Sequence, residues 1–129
     1  MTTPSTHKPT ASELEILQIL WERGPSTVRE VHQTLNGKRP IGYTSVLKFL
    51  QIMTAKGSVR RDERERAHVY EAVQPAEKTK RQLALDVLQR VFDGSASELM
   101  MHALAGRKAS REEIEEMRRL LNEHERKIR

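Results

Sequence analysis

Apolar residues recur at helical spacing along most of this chain, and the interruptions fall at recognisable start and stop signals. Met1 to Pro9 is polar and aperiodic, and a flexible arm is expected over residues 1–9. Thr10-x-x-Glu13 then forms a capping box, in which a hydroxyl and a carboxylate satisfy the first free N–H groups of a helix. Leu14, Ile16, Leu17, Leu20 and Trp21 follow on one face, and Gly24-Pro25 ends the element. A second box, Thr27-x-x-Glu30, opens a short helix with Val28, Val31 and Leu35 on its apolar side, stopped by Asn36-Gly37. After a turn containing Pro40, a third helix is predicted from about Tyr43 to Lys56, with Gly57 as its left-handed cap.

Beyond Gly57 the period changes. Ser58 to Arg61 and Ala67 to Ala72 read as extended, joined by the charged tip Asp62-Glu63-Arg64-Glu65-Arg66, and Pro75 breaks the chain. Three short helices followed by a β-hairpin is the order of a winged helix-turn-helix, expected over residues 10–75. Residues 76–129 read as a helical dimerisation region. Leu83, Val87, Leu88, Val91 and Phe92 mark one helix, and Asp93-Gly94-Ser95 interrupts it. Leu99, Met100, Ala103 and Leu104 mark a second helix. A third capping box, Ser110-x-x-Glu113, precedes Ile114, Met117, Leu121, His124 and Ile128, which step by 3, 4, 3 and 4 as a short heptad seam. The fold class is therefore mainly α with a small β-hairpin.

Composition narrows the function. With 129 residues, 36% hydrophobic and 4% aromatic, a single large core is not expected; thin cores completed by a subunit interface fit better. Zero cysteines exclude disulfides, thiolate metal sites and a cysteine nucleophile. No long apolar run and no apolar leader is present, so a cytoplasmic protein without membrane attachment is expected. No two histidines are spaced i, i+4, and there is no phosphate-cradling glycine loop and no paired catalytic acids, so no metal, no cofactor and no enzymatic activity is expected. The formal net charge is +5, and it is not spread evenly. Residues 36–66 hold eight basic and three acidic side chains, which accounts for all of it, whereas the segment from Ala76 is nearly balanced. A basic middle suits an anionic partner, although a solvated face gives the same count.

The third helix decides between these. Val46, Leu50 and Met53 form its core side; Thr44, Ser45, Lys48 and Gln51 lie opposite, with no acid among them. Such a stripe approaches DNA without repelling phosphate, and these side chains hydrogen-bond base edges. Lys38, Arg39 and Tyr43 in the preceding turn stand near the helix start, where free N–H groups favour phosphate. Arg61, Arg64 and Arg66 on the hairpin are candidate groove or backbone contacts, opposed by Glu63 and Glu65.

The strings Ala11-Ser12-Glu13-Leu14-Glu15-Ile16-Leu17, Thr27-Val28-Arg29-Glu30-Val31-His32, Gly42-Tyr43-Thr44-Ser45-Val46-Leu47-Lys48 and Arg66-Ala67-His68-Val69-Tyr70 resemble the BlaI/MecI/CopY family of bacterial repressors. The resemblance spans roughly residues 10 to 122 and is densest in the first 75. It implies a homodimer whose winged helices bind a dyad-symmetric double-stranded DNA operator with TACA/TGTA-like elements, in control of a β-lactam, metal or other stress-response operon. Carried over position by position, Tyr43, Thr44, Ser45, Lys48 and Gln51 belong to the recognition helix, Thr27 and Arg29 position the DNA backbone, and Arg66 belongs to the wing. The cysteine cluster of the copper-responsive branch is missing. Where the β-lactam branch is cut by an inactivating protease at an Asn–Phe bond, this chain has His102-Ala103, so a protease or sensor partner is an implication without its cleavage pair. Dimerisation is expected around Leu83, Val87, Val91, Leu99, Ile114, Met117 and Leu121, whose faces cannot all be buried within so short a segment. The competing reading is a winged-helix adaptor that binds another protein and has no specific DNA readout.

Overall fold

The two N-terminal capping boxes form as their spacing requires. Thr10 Oγ1 accepts from the Glu13 N–H at 3.2 Å while Glu13 Oε1 accepts from the Thr10 N–H at 3.1 Å, and Thr27 and Glu30 repeat the exchange at 3.2 and 2.9 Å. The computed structural model describes residues 8–128, so all but the last two residues of the expected arm lie outside the described residues. Helices α1 (Ala11–Arg23), α2 (Val28–Asn36) and α3 (Tyr43–Lys56) precede β2 (Val59–Asp62) and β3 (Val69–Ala72). Helices α4 (Ala76–Phe92), α5 (Ala96–Ala105) and α6 (Arg111–Ile128) follow. Gly57 ends α3 at φ 85°, ψ 10°, a conformation that a side chain would strain.

One element was not expected. Ser26–Thr27 forms a two-residue strand, β1, which turns the hairpin into a three-stranded antiparallel sheet of order β1-β3-β2. Ser26 pairs with Tyr70 and Thr27 with Val69. The reason is local: a capping residue must be extended, and Thr27 is at φ −79°, ψ 165°, so its backbone is already shaped to pair. Thr27 thus starts α2 through its hydroxyl and joins the wing through its backbone.

The chain divides into two compact units, up to Leu83 and from Ala84 onward, and this division falls within α4. The first unit holds the entire core of the described residues: Ile16, Leu17, Ile19 and Leu20 from α1, Val28, Val31 and Leu35 from α2, Val46, Leu50 and Met53 from α3, and Val59 and Tyr70 from the sheet. Each such side chain, fully buried, stabilises by roughly 1.5–3 kcal/mol. Trp21 packs at the edge of this core, and its Nε1 donates to the Gln74 carbonyl at 3.0 Å, which fixes the chain after β3 onto α1.

Glu13 is also buried, with its side chain 5% exposed, and Lys56 Nζ donates to both of its oxygens at 3.1 and 3.0 Å. This pair ties the start of α1 to the end of α3. Glu15, two residues on and therefore on the other side of α1, receives Arg39 Nε and Nη2 at 2.7–3.2 Å and so holds the turn before α3.

The second unit is different in kind. No residue of α5 or α6 is buried, and none of α4. Val91 is 66% exposed and Leu121 58%. Asp93 (φ 51°) and Gly94 (φ 85°) make the left-handed turn between α4 and α5. Between α5 and α6 runs an open apolar groove of about 510 Å³, lined by Met100, Leu104, Ile114, Met117 and Leu121 and rimmed by Arg107, Lys108 and Arg118. Among the described residues, no helix is long and apolar enough to cross a membrane.

Leu50→Ala is expected to lower the unfolding free energy by about 2–5 kcal/mol, and Lys56→Met, which leaves the Glu13 carboxylate buried without its cation, by about 2 kcal/mol. Urea unfolding followed by the fluorescence of Trp21, the single tryptophan, measures both.

Candidate nucleic-acid interface

The outward side of α3 is built by subtraction. Val46, Leu50 and Met53 turn inward and are fully buried, with Leu47 and Phe49 packed at their edges. What remains in water is Thr44, Ser45, Lys48 and Gln51, joined by Ile52 and Ala55. The four polar residues are the expected stripe, and none of them makes a side-chain hydrogen bond or ion pair among the described residues. Ile52 and Ala55 were missed because apolar residues were assigned to the core side; at helical spacing Ala55 falls between Thr44 and Lys48, and Ile52 beside Ser45.

The start of α3 is left open. Its N-cap is Gly42, which offers no side chain, and its first turn carries no acid, unlike α1 and α2. The first N–H groups therefore face outward uncapped, an arrangement that favours an anion. The turn leading to it is held from three sides. Besides the Arg39–Glu15 pair, the Ile41 N–H donates to Asn36 Oδ1 at 3.1 Å, and His32 Nε2 lies 2.9 Å from the Ile41 carbonyl. The His32 ring also meets Tyr43 edge-on, with ring centres 5.8 Å apart, and fixes that exposed ring at the mouth of the helix.

The predicted residues of the turn and of α2 divide accordingly. Thr27 is half-buried as the α2 cap, whereas Arg29 and Lys38 are exposed. Arg39 is half-exposed but engaged with Glu15. Its hydrogen bonds pull the Glu15 carboxyl below the usual range, and the Glu15 hydrogen bonds raise the Arg39 pKa further. Arg39 thus shapes the turn, a role its sequence neighbourhood did not show because Glu15 lies 24 residues upstream.

Three wing arginines are likewise engaged. Arg60 reaches Glu71, its cross-strand partner in register, at 2.9 Å. Arg61 holds Glu63 at 2.6 Å, and Tyr70 and Glu63 both raise its pKa. Arg64, 88% exposed, grips Asp62 with Nε and Nη2 at 2.6–3.0 Å. Arg66 is exposed and has no such partner among the described residues.

Of the residues expected at a dimer seam, Leu83 lies in the first unit and is half-buried. In the second unit Val87, Val91, Ile114 and Leu121 are exposed, and Leu99 and Met117 half-exposed. His102 and Ala103 sit exposed on α5, the His102 ring 5.6 Å from that of Phe92. No group of three or more metal-ligating side chains occurs among the described residues.

Comparison with known proteins bears on this surface. A family description, Penicillinase repressor, matches residues 9–123. The chain is 32% identical over 115 residues to a protein named Transcriptional regulator BlaI in two strains of Mycobacterium tuberculosis, CDC 1551 / Oshkosh and ATCC 25618 / H37Rv; the match covers 88% of this chain and 82% of each relative. A solved MarR family protein from Bacillus stearothermophilus superposes with a TM-score of 0.52 over 96% of this chain and 78% of that one, at 21% identity, and supports the winged helix-turn-helix fold.

The hydrogen bonds from the Arg64 side chain and backbone pull the Asp62 carboxyl down from 3.8 to about 2. Because the folded value is the lower one, the pairing favours the ordered wing above the ordinary value and is lost as pH falls towards about 2. A carboxyl NMR titration is expected to find that low midpoint, and Arg64→Ala to return it towards 3.8.

Proposed function

We propose, for a chain that belongs to the penicillinase repressor family, a homodimer that reads a dyad-symmetric operator with two copies of α3. Family membership makes it a DNA-binding transcriptional repressor and not an enzyme. The observation that carries the operator reading is the outward stripe of α3: Thr44, Ser45, Lys48 and Gln51 in water, with no side-chain partner among the described residues and no acid on their helix. A helix fits the major groove, and these groups suit base edges, with Lys48 reaching guanine or phosphate. Tyr43 and the uncapped first turn suit a phosphate at the helix mouth; Thr27, Arg29 and Lys38 suit the flanking backbone; Arg66 suits the wing contact. Arg39 supports the turn, and Arg61 and Arg64 reach DNA only by leaving their carboxylates.

The homodimer reading is supported by the absence of any buried side chain from Ala84 onward among the described residues. Ile114, Met117 and Leu121 on α6, with Val87 and Val91 on α4 and Leu99 on α5, gain their cover from a second copy. Leu83 extends the α4 face. Two linked half-sites also raise the effective concentration of each winged helix on the duplex. Operator elements of TACA/TGTA type and control of a β-lactam, metal or stress-response operon follow from the family reading, and cleavage near His102 and Ala103 is the route by which a protease would act.

Selection of duplexes from a random-sequence pool is expected to enrich an inverted repeat. On that duplex, Lys48→Ala and Arg66→Ala are each expected to weaken binding roughly tenfold, within the range of a good base or phosphate contact. Enrichment of no sequence at all returns the adaptor reading. Light scattering at micromolar concentration is expected to give the mass of two chains, and a single-chain mass counts against the dimer.

A further inference from the structure

Between Arg60 and Glu71 the wing carries four arginines and four acids, so it is formally neutral, whereas residues 38–56 carry four basic residues and no acid. The wing pairs are individually made. Arg61 Nε and Nη2 both lie 2.6 Å from Glu63 Oε2, and Arg64 takes Asp62 in a fork at 2.6–3.0 Å. A guanidinium presents the same donors to a carboxylate as to a phosphate, so while it serves one it is withheld from the other. Both pairs are exposed, and exposed pairs are weak enough to exchange. The exchange is favourable only where a phosphate arrives in a geometry as good as the carboxylate's. Charge-only attachment to an arbitrary duplex, by contrast, depends simply on how many cations are free to neutralise phosphates.

We propose that Asp62 and Glu63 are specificity-determining residues: they keep Arg64 and Arg61 out of charge-only contact, so that the wing commits these cations only when α3 is seated in a matching groove. The inference rests on the reading of α3 and the wing as the DNA-facing surface. Arg66, without a carboxylate partner among the described residues, is the wing cation available to any duplex. The acids are in this view part of DNA discrimination without touching DNA in the final complex.

The test compares the full chain with Glu63→Gln and with Asp62→Asn/Glu63→Gln on two probes, a random-sequence duplex and the duplex enriched by selection. Binding to the random duplex is expected to tighten about three- to fivefold per acid removed, with the slope of log affinity against log salt steepening by about 0.9 per released arginine. Binding to the enriched duplex gains less, so the ratio between probes falls. Unchanged or weaker binding to the random duplex overturns the proposal, and so does an equal gain on both probes. Glu63→Gln removes no backbone hydrogen bond, so it decides the matter even if Asp62→Asn, which also accepts from the Arg64 N–H, disturbs the turn. Lys48→Ala in the same assay separates the two levels: if it leaves the preference for the enriched duplex intact, the placement of α3 on DNA fails, whatever the acids do.

Discussion

Glu13 is the point from which the orientation of α3 is set. Its carboxylate is nearly dry, and it is made tolerable there by three hydrogen bonds from two donors: the Thr10 N–H that begins α1 and, through both oxygens, the ammonium of Lys56 that ends α3. A buried charge of this kind admits few positions for its partner, so the end of α3 is pinned. Glu15, on the opposite side of the same helix, catches Arg39 and pins the turn at the other end. Between these two anchors the apolar residues Val46, Leu50 and Met53 settle against α1 and α2, and the polar stripe has only one direction left to face. The exposed surface of α3 is therefore a consequence of how α1 is charged, as much as of the residues that line it.

The same economy explains the unequal halves of the chain. Among the described residues, all twelve buried apolar side chains lie between Ile16 and Tyr70, where three helices and a small sheet enclose one another. From Ala84 the helices are amphipathic but bury no side chain fully among the described residues, and α6 keeps its charged side in order through pairs such as Arg119 with Glu116 and Glu123. A sequence low in aromatics can fill one small core completely or two partially; this one does the first, and among the described residues it buries no side chain from Ala84 onward, the exposure on which the proposed dimer rests.

Legibility followed the range of the interaction. Caps and apolar spacing act over three or four residues, and the six helices lie where those signals put them, down to Gly57 in the left-handed region. β1 was invisible because two residues carry no period, and its pairing with β3 spans more than forty positions. Ile19 in the core and the burial of Glu13 were missed for the same reason: the first depends on how α1 rolls against its neighbours, the second on Lys56. On α3, the exposure of Thr44, Ser45, Lys48 and Gln51 could be read because solvent exposure on a helix is periodic. Arg39, Arg61 and Arg64 looked equivalent to Arg66 in the chain, since charge alone does not say which acid a guanidinium will find.

Thr27 has a consequence of its own. One residue closes the first turn of α2 with its hydroxyl and pairs in register with Val69 of β3, so the helix pair and the wing share a rivet. In the proposed complex, the helix placed in the groove and the wing placed beside it cannot then be retuned separately. On the proposed reading, the three helices and the wing therefore meet each half-site as one rigid gauge, its dimensions set by the shared residue.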